Sequence, residues 1–195
     1  MNQDEIKSMQ AKISANGFTL AVDGFWGPKS QEACKKHLKS LMPKINPWPK
    51  REMVRSFYGA PGDESNLVVI QFPYEVFYDG KPVSKTRVHH KCADSLIRVL
   101  ESIGKGFGNN DGIMEEAEDY CGCFNFRLKR GGSTYSMHAY GAAIDFDADD
   151  NTFRDHWPMR ADMPLEIMEE FAREGWLSAG AFWGYDAMHF EATSL

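Results

Sequence analysis

Apolar positions recur along this 195-residue chain at two different periods, and the changes of period mark its elements. Ile6, Met9 and Ile13 fall on one helical face, and Ala33, Cys34, Leu38 and Leu41 resume that spacing after the glycine-rich stretch NGFTLAVDGFWGPKS. The first forty residues therefore predict a helix, a structured turn and a second helix. Pro43, Pro47 and Pro49 then break any helix and predict a linker over 42–59. Beyond it, NLVVIQFPYEVFY has strand character, while Ala93, Leu96, Ile97, Leu100 and Ile103 line one face of a helix that ends at GKGFG. DMPLEIMEEFAREG predicts a later helix, with Pro164 in its first turn, Gly175 closing it, and Ile167, Met168, Phe171 and Ala172 facing inward. The mixture predicts an α+β fold, with a helical unit over 1–41 and a larger domain over 60–195.

Two short segments carry candidate chemistry. If GAAIDFD is a strand, Ala142, Ile144 and Phe146 share one face and Ala143, Asp145 and Asp147 the other. Gly141 permits a sharp turn just before it, so that His138 on the incoming loop swings towards Asp145. WGYDAMHFEA repeats the pattern: Met188 and Phe190 point to the core, His189 and Glu191 away from it. Two imidazoles and one carboxylate form a common catalytic zinc set that keeps a fourth position open for water. Asp186, three residues before His189, is then the candidate general base. Arg127 or Arg130 would supply positive charge for a developing oxyanion, and spacing does not choose between them. The competing reading of the same residues is a satisfied strand histidine and a strand with a solvent-facing acidic edge.

Charge and composition narrow the partners. Lys+Arg number 22 against 28 Asp+Glu, and no basic cluster is dense enough to follow a phosphate backbone, which excludes nucleic acid as a partner. No run approaches the roughly 18 apolar residues that span a bilayer, and the N-terminus lacks a basic start followed by an apolar stretch. The expectation is a protein made in the cytoplasm without a signal peptide, monomeric and without a membrane partner. Cys34, Cys92, Cys121 and Cys123 do not form a disulfide framework, and CGC lacks a second pair at zinc-finger spacing. Adjacent side chains diverge, so His89 and His90 are expected as a structural or substrate-rim pair, and neither His37 nor His156 has partners at a ligand spacing.

SMHAYGAAID and DAMHF resemble the paired signatures of the M15 metallopeptidases, Ser-x-His-x6-Asp and Asp/Glu-x-x-His, in both composition and order. The resemblance covers residues from about 60 to 195. It implies a central antiparallel sheet with flanking helices, a zinc ion (Zn2+) held by His138, Asp145 and His189, Asp186 as acid/base, and Ser136 shaping the first loop on the substrate side. FNFR is similar to an aromatic-rich YNYR segment of phage-type members, which favours Arg127 as the substrate-binding cation. The front unit resembles a three-helix peptidoglycan-binding module through Gln10, Gly17, Phe18, Asp23, Gly24, Trp26, Gly27, Ser30 and Ala33. The implied protein is an endolysin that acts on the bacterial cell wall, cleaving the stem peptide of peptidoglycan between L-Ala and D-Glu. A D,D-carboxypeptidase releasing D-Ala and a non-catalytic wall-binding protein are the alternatives.

Overall fold

A computed structural model describes residues 1–195. Two helices occupy the first forty residues, α1 (Gln3–Ala15) and α2 (Pro28–Leu41). Helix α1 starts in a capping box: the Asn2 side chain accepts from the backbone of Glu5 at 3.1 Å, and the Glu5 carboxylate accepts from Asn2 N at 2.6 Å. The loop between the helices is pinned by one buried side chain. Gln10 Oε1 accepts from Asp23 N and Gly24 N at 3.0 and 2.8 Å, and its Nε2 donates to Asp23 Oδ1, Phe25 O and Ser30 Oγ. Gln10, Asp23, Gly24 and Ser30, four of the residues behind the resemblance to a wall-binding module, thus form a single hydrogen-bond network that shapes the loop.

The connecting residues 42–59 are folded against the far end of the chain. The Trp48 indole N–H donates to Glu174 O at 2.8 Å, Ser194 N donates to Pro49 O at 2.9 Å, and Tyr58, at the end of a short helix α3 (Val54–Tyr58), donates its hydroxyl to Ala192 O at 2.7 Å. Trp48 and Tyr58 are both buried.

A long hairpin follows, β1 (Leu67–Tyr78) against β2 (Lys81–His89), antiparallel and with its register shifted between Gln71 and Val76. Helix α4 (His90–Phe107) buries Ala93, Leu96, Val99, Leu100 and Ile103 along one face, and Ile97 remains at its half-buried edge. After α5 (Asp111–Glu118) come β3 (Tyr120–Gly122), β4 (Ala143–Phe146), α6 (Leu165–Arg173), β5 (Leu177–Ser178), α7 (Ala179–Trp183) and β6 (His189–Glu191). The four strands β3 to β6 make an antiparallel sheet in the order β3-β4-β6-β5. Helix α6 covers it, with Phe171 stacked on Phe190 at 4.0 Å between ring centroids. Pro164 caps this helix just before its first turn, and Gly175, with φ at +79°, lies just past its end. No helix is long and apolar enough to cross a membrane.

One hydrophobic core runs from Ile6, Ile13 and Leu38 through Trp157 and Trp176 to Phe146 and Phe190. Its N-terminal end is tied to α6 by polar contacts as well. Glu169 Oε1 meets His37 Nε2 at 2.7 Å, its other oxygen lies 2.9 Å from Lys12 Nζ, and Lys12 also reaches Glu166 at 2.9 Å. Burial opposes ionisation of Glu169, but the bonds to His37 and Lys12 outweigh it and hold its carboxyl below the usual value. Substituting Glu169→Gln is expected to cost about 1.5–3 kcal/mol in denaturant unfolding at neutral pH, the range for bonds to a charged group. Because the folded value is the lower one, the difference from the parent should be full above the unfolded glutamate value near pH 4.3 and fade as pH falls through the folded value.

Candidate metal centre

The pairing of β4 with β6 sets the centre. Asp145 stands directly opposite His189, Ile144 opposite Phe190 and Ala143 opposite Glu191. Directly opposed residues share a face of the sheet. Ile144 and Phe190 are fully buried on the core side, so Asp145 and His189 meet on the other. Met188 departs from the expected alternation: although buried, it lines the cavity beside His189, because β6 begins only at His189 and the preceding residues are still in a turn.

His138 arrives on a 3₁₀ turn, Met137–Tyr140, capped by Ser136, whose hydroxyl accepts from His138 N at 3.4 Å. Gly141 ends that turn with φ at +66°. A β-carbon there would lie 2.5 Å from Leu67 Cδ2 and 3.0 Å from His89 N, so glycine meets both a left-handed backbone and a close approach by the hairpin. His89 is buried behind this turn, its Nε2 bonded to Tyr58 O at 3.0 Å, and is a structural residue.

Three potential ligand atoms converge. His138 Nε2 lies 3.0 Å from Asp145 Oδ1 and 3.1 Å from His189 Nδ1, and the latter two are 2.8 Å apart. The outer nitrogen of each ring is committed elsewhere. His138 Nδ1 faces Cys123 O at 2.6 Å, and His189 Nε2 faces Glu191 Oε2 at 3.3 Å. A carbonyl or carboxylate oxygen only accepts, so each outer nitrogen carries a proton, and in the neutral ring the inner one presents a lone pair. Two nitrogen lone pairs and a carboxylate oxygen then point at one another in a buried space, an arrangement that requires a cation between them. The chemistry of this donor set, a carboxylate and two imidazoles whose rings are each backed by an outer hydrogen bond, fits zinc.

The electrostatics of the metal-free chain agree. Burial disfavours charge on both groups, yet their mutual bonds prevail: His189 is raised to about 10 and Asp145 is held well below the ordinary carboxylate range. A proton on His189 takes the cation's part. The outer shell is itself braced, since Glu191, 2% exposed, also takes Arg51 Nη2 at 2.8 Å and the Thr193 hydroxyl.

The centre opens on a cavity of about 350 Å³ whose walls include Asp186, Ser136, Arg127, Lys129 and Arg130. Asp186 adopts a left-handed backbone, φ +61°, and its carbonyl accepts from His189 N at 3.0 Å. Burial raises its pKa, with the charge of Asp145 adding to the rise and His189, His138 and Arg130 opposing it. The three cations lie on an excursion between β3 and the 3₁₀ turn, closed by Ser136 N donating to Arg127 O at 3.1 Å and Lys129 N to Thr134 O at 2.8 Å. The structure places both Arg127 and Arg130 on the cavity. It also brings there Arg51, Lys129 and Trp183, which the sequence patterns did not single out. Lys129 is lowered by burial and then by the charge of Arg51.

A second carboxylate group, Glu116, Asp147 and Asp162, meets around the buried Asn151, whose Nδ2 donates to Asp147 Oδ2 at 2.6 Å. Burial first, then the bond and charge of Asp147, push Glu116 up to about 9.

Residues 130–192 match the M15 peptidase family model described as D-alanyl-D-alanine carboxypeptidase. The match spans about a third of the chain and includes His138, Asp145, Asp186 and His189, whereas Arg127 lies just before it. No curated protein and no solved structure matches the chain. Zinc is expected to raise the thermal midpoint of the metal-free protein, a metal at about 1,000 times its dissociation constant being worth about 4 kcal/mol. His138→Ala should abolish that rise, and an equal shift in the variant would show that the ion binds elsewhere.

Proposed function

We propose that this chain is a zinc-dependent peptidase of bacterial peptidoglycan. The convergence of three lone-pair atoms beside a half-buried aspartate, inside a segment similar to M15 peptidases, carries this reading. When bound, zinc would supply Lewis acidity to polarise a scissile carbonyl and activate water.

The chain's own groups divide the remaining work. His138 and His189 are held in single tautomers by Cys123 O and Glu191, so their lone pairs stay aimed. Asp186, its pKa raised by burial, accepts the proton of the attacking water at its carboxylate and returns it to the leaving amine. Arg127 on the cavity wall binds substrate and steadies charge on the carbonyl oxygen, with Arg130 beside Asp186 as the neighbouring cation. Ser136 serves substrate binding indirectly, by capping the turn that carries His138.

The favoured bond is L-Ala–D-Glu of the stem peptide, following the likeness of FNFR to phage-type enzymes, and the role is that of an endolysin. The description of the matching family model favours the second reading, removal of a terminal D-Ala. The helical unit over 1–41 serves as the wall-binding module, raising the local concentration of substrate.

Incubating the purified protein with murein sacculi, with and without a chelator, and identifying products by mass separates these readings. New L-Ala carboxyl termini and D-Glu amines are expected; free D-Ala would make it a carboxypeptidase, and sedimentation with sacculi without products would reduce it to a binder. Asp186→Asn should lower kcat by about 10²–10⁴-fold, the usual worth of a general acid/base, with zinc content unchanged. Full activity in that variant would remove Asp186 from the mechanism.

A further inference from the structure

Arg51 reaches the candidate metal centre from a 3₁₀ turn, Arg51–Met53, within the proline-rich connecting segment. Its Nη2 lies 2.8 Å from Glu191 Oε1, Glu191 Oε2 lies 3.3 Å from His189 Nε2, and His189 Nδ1 lies 2.8 Å from Asp145 Oδ1. The terminal torsion of a glutamate is broad, so a carboxylate held through one oxygen by one weak donor would not keep a fixed plane. Here Arg51 and the Thr193 hydroxyl both take Oε1, which leaves Oε2 turned to the imidazole.

The arginine is itself held in place. Its guanidinium carbon sits 5.1 Å from the centroid of the Trp183 ring, and the backbone on its N-terminal side is anchored by Lys50 bridging to Ser194 and by the Trp48 indole bonded to Glu174 O. Every one of these anchors joins residues 48–51 to the last third of the chain.

We infer that Arg51 is a positioning residue of the metal centre: by fixing the Glu191 carboxylate it fixes the ring plane and tautomer of His189, so the connecting segment completes the centre. The inference rests on the metal-centre reading above and deepens it. Outer partners of metal-bound imidazoles are commonly worth 10–100-fold in metal affinity, and Arg51 acts one step further out, so about a tenfold effect is expected.

The test is Co²⁺ binding to the full-length protein, by competition with a chromophoric chelator, together with the visible absorption of the bound Co²⁺. Arg51→Met should weaken Co²⁺ about tenfold and shift its absorption bands, Glu191→Gln should weaken it at least as much, and the double variant should add little further loss. Arg51→Lys, which keeps the charge and not the fork, should fall between parent and Arg51→Met. Parental Co²⁺ affinity and bands in Arg51→Met, with only the melting temperature lowered, would overturn the inference and leave a merely structural ion pair. Should Arg51→Met not fold, Arg51→Lys decides, and parental affinity there overturns it. A parent that binds no Co²⁺ would instead overturn the metal-centre reading, and this inference with it.

Discussion

Everything in this molecule that bears on chemistry depends on one electrostatic constraint: two imidazole lone pairs and a carboxylate oxygen held within 2.8–3.1 Å of each other, away from solvent. Such a cluster is costly without a cation between its members, and a proton or a metal ion must supply it. The rest of the fold either brings these atoms together or prevents them from turning away. The carbonyl of Cys123 and the carboxylate of Glu191 do the second task, since a neutral imidazole that donates outward from one nitrogen keeps a lone pair on the other.

The first task falls to the core. Ile144 and Phe190 face each other across β4 and β6, fully buried, with Phe190 stacked on Phe171, and a slip of one residue would turn them to the cavity side and their polar neighbours into the apolar core. Hydrophobic register therefore fixes the opposition of Asp145 and His189. His138 is set independently, by a turn whose glycine touches the β1–β2 hairpin, so the hairpin and its backing His89 buttress the third ligand atom from behind.

Much of this is legible in the sequence because it is written in period-two alternation. Ala142, Ile144 and Phe146 against Asp145, and Phe190 against His189, announce a strand pair with one polar face, and the α+β character follows from the change of period between segments such as 67–78 and 93–103. Within 1–41 the two predicted helices are present, and the consensus-like residues Gln10, Asp23 and Gly24 prove to be the loop's internal scaffold. The remainder is hidden for physical reasons. Cys123 acts through its backbone carbonyl, which no side-chain pattern marks. Arg51 and Trp48 lie in a proline-rich stretch whose local signal is that of a connector, and only long-range packing gives them roles. Met188 obeys alternation in the sequence but precedes the strand, and so faces the cavity. Glu116, Asp147 and Asp162 come from three separate segments and share no spacing at all.

The cavity gathers four basic side chains, Arg51, Arg127, Lys129 and Arg130, beside the carboxylates of Asp145, Asp186 and Glu191, so basic groups are concentrated here in a chain whose net charge is −6. That concentration suits a ligand bearing carboxylates. Its bearing on catalysis follows only if the centre beneath it holds a metal. The most direct measurement is an anomalous-difference map, recorded above and below the zinc absorption edge, from crystals of the zinc-loaded protein. One strong peak is expected, bonded to His138 Nε2, His189 Nδ1 and an Asp145 oxygen at about 2.0–2.2 Å. A map with no peak among those atoms, or with its only peak at Glu116, Asp147 and Asp162, would contradict it.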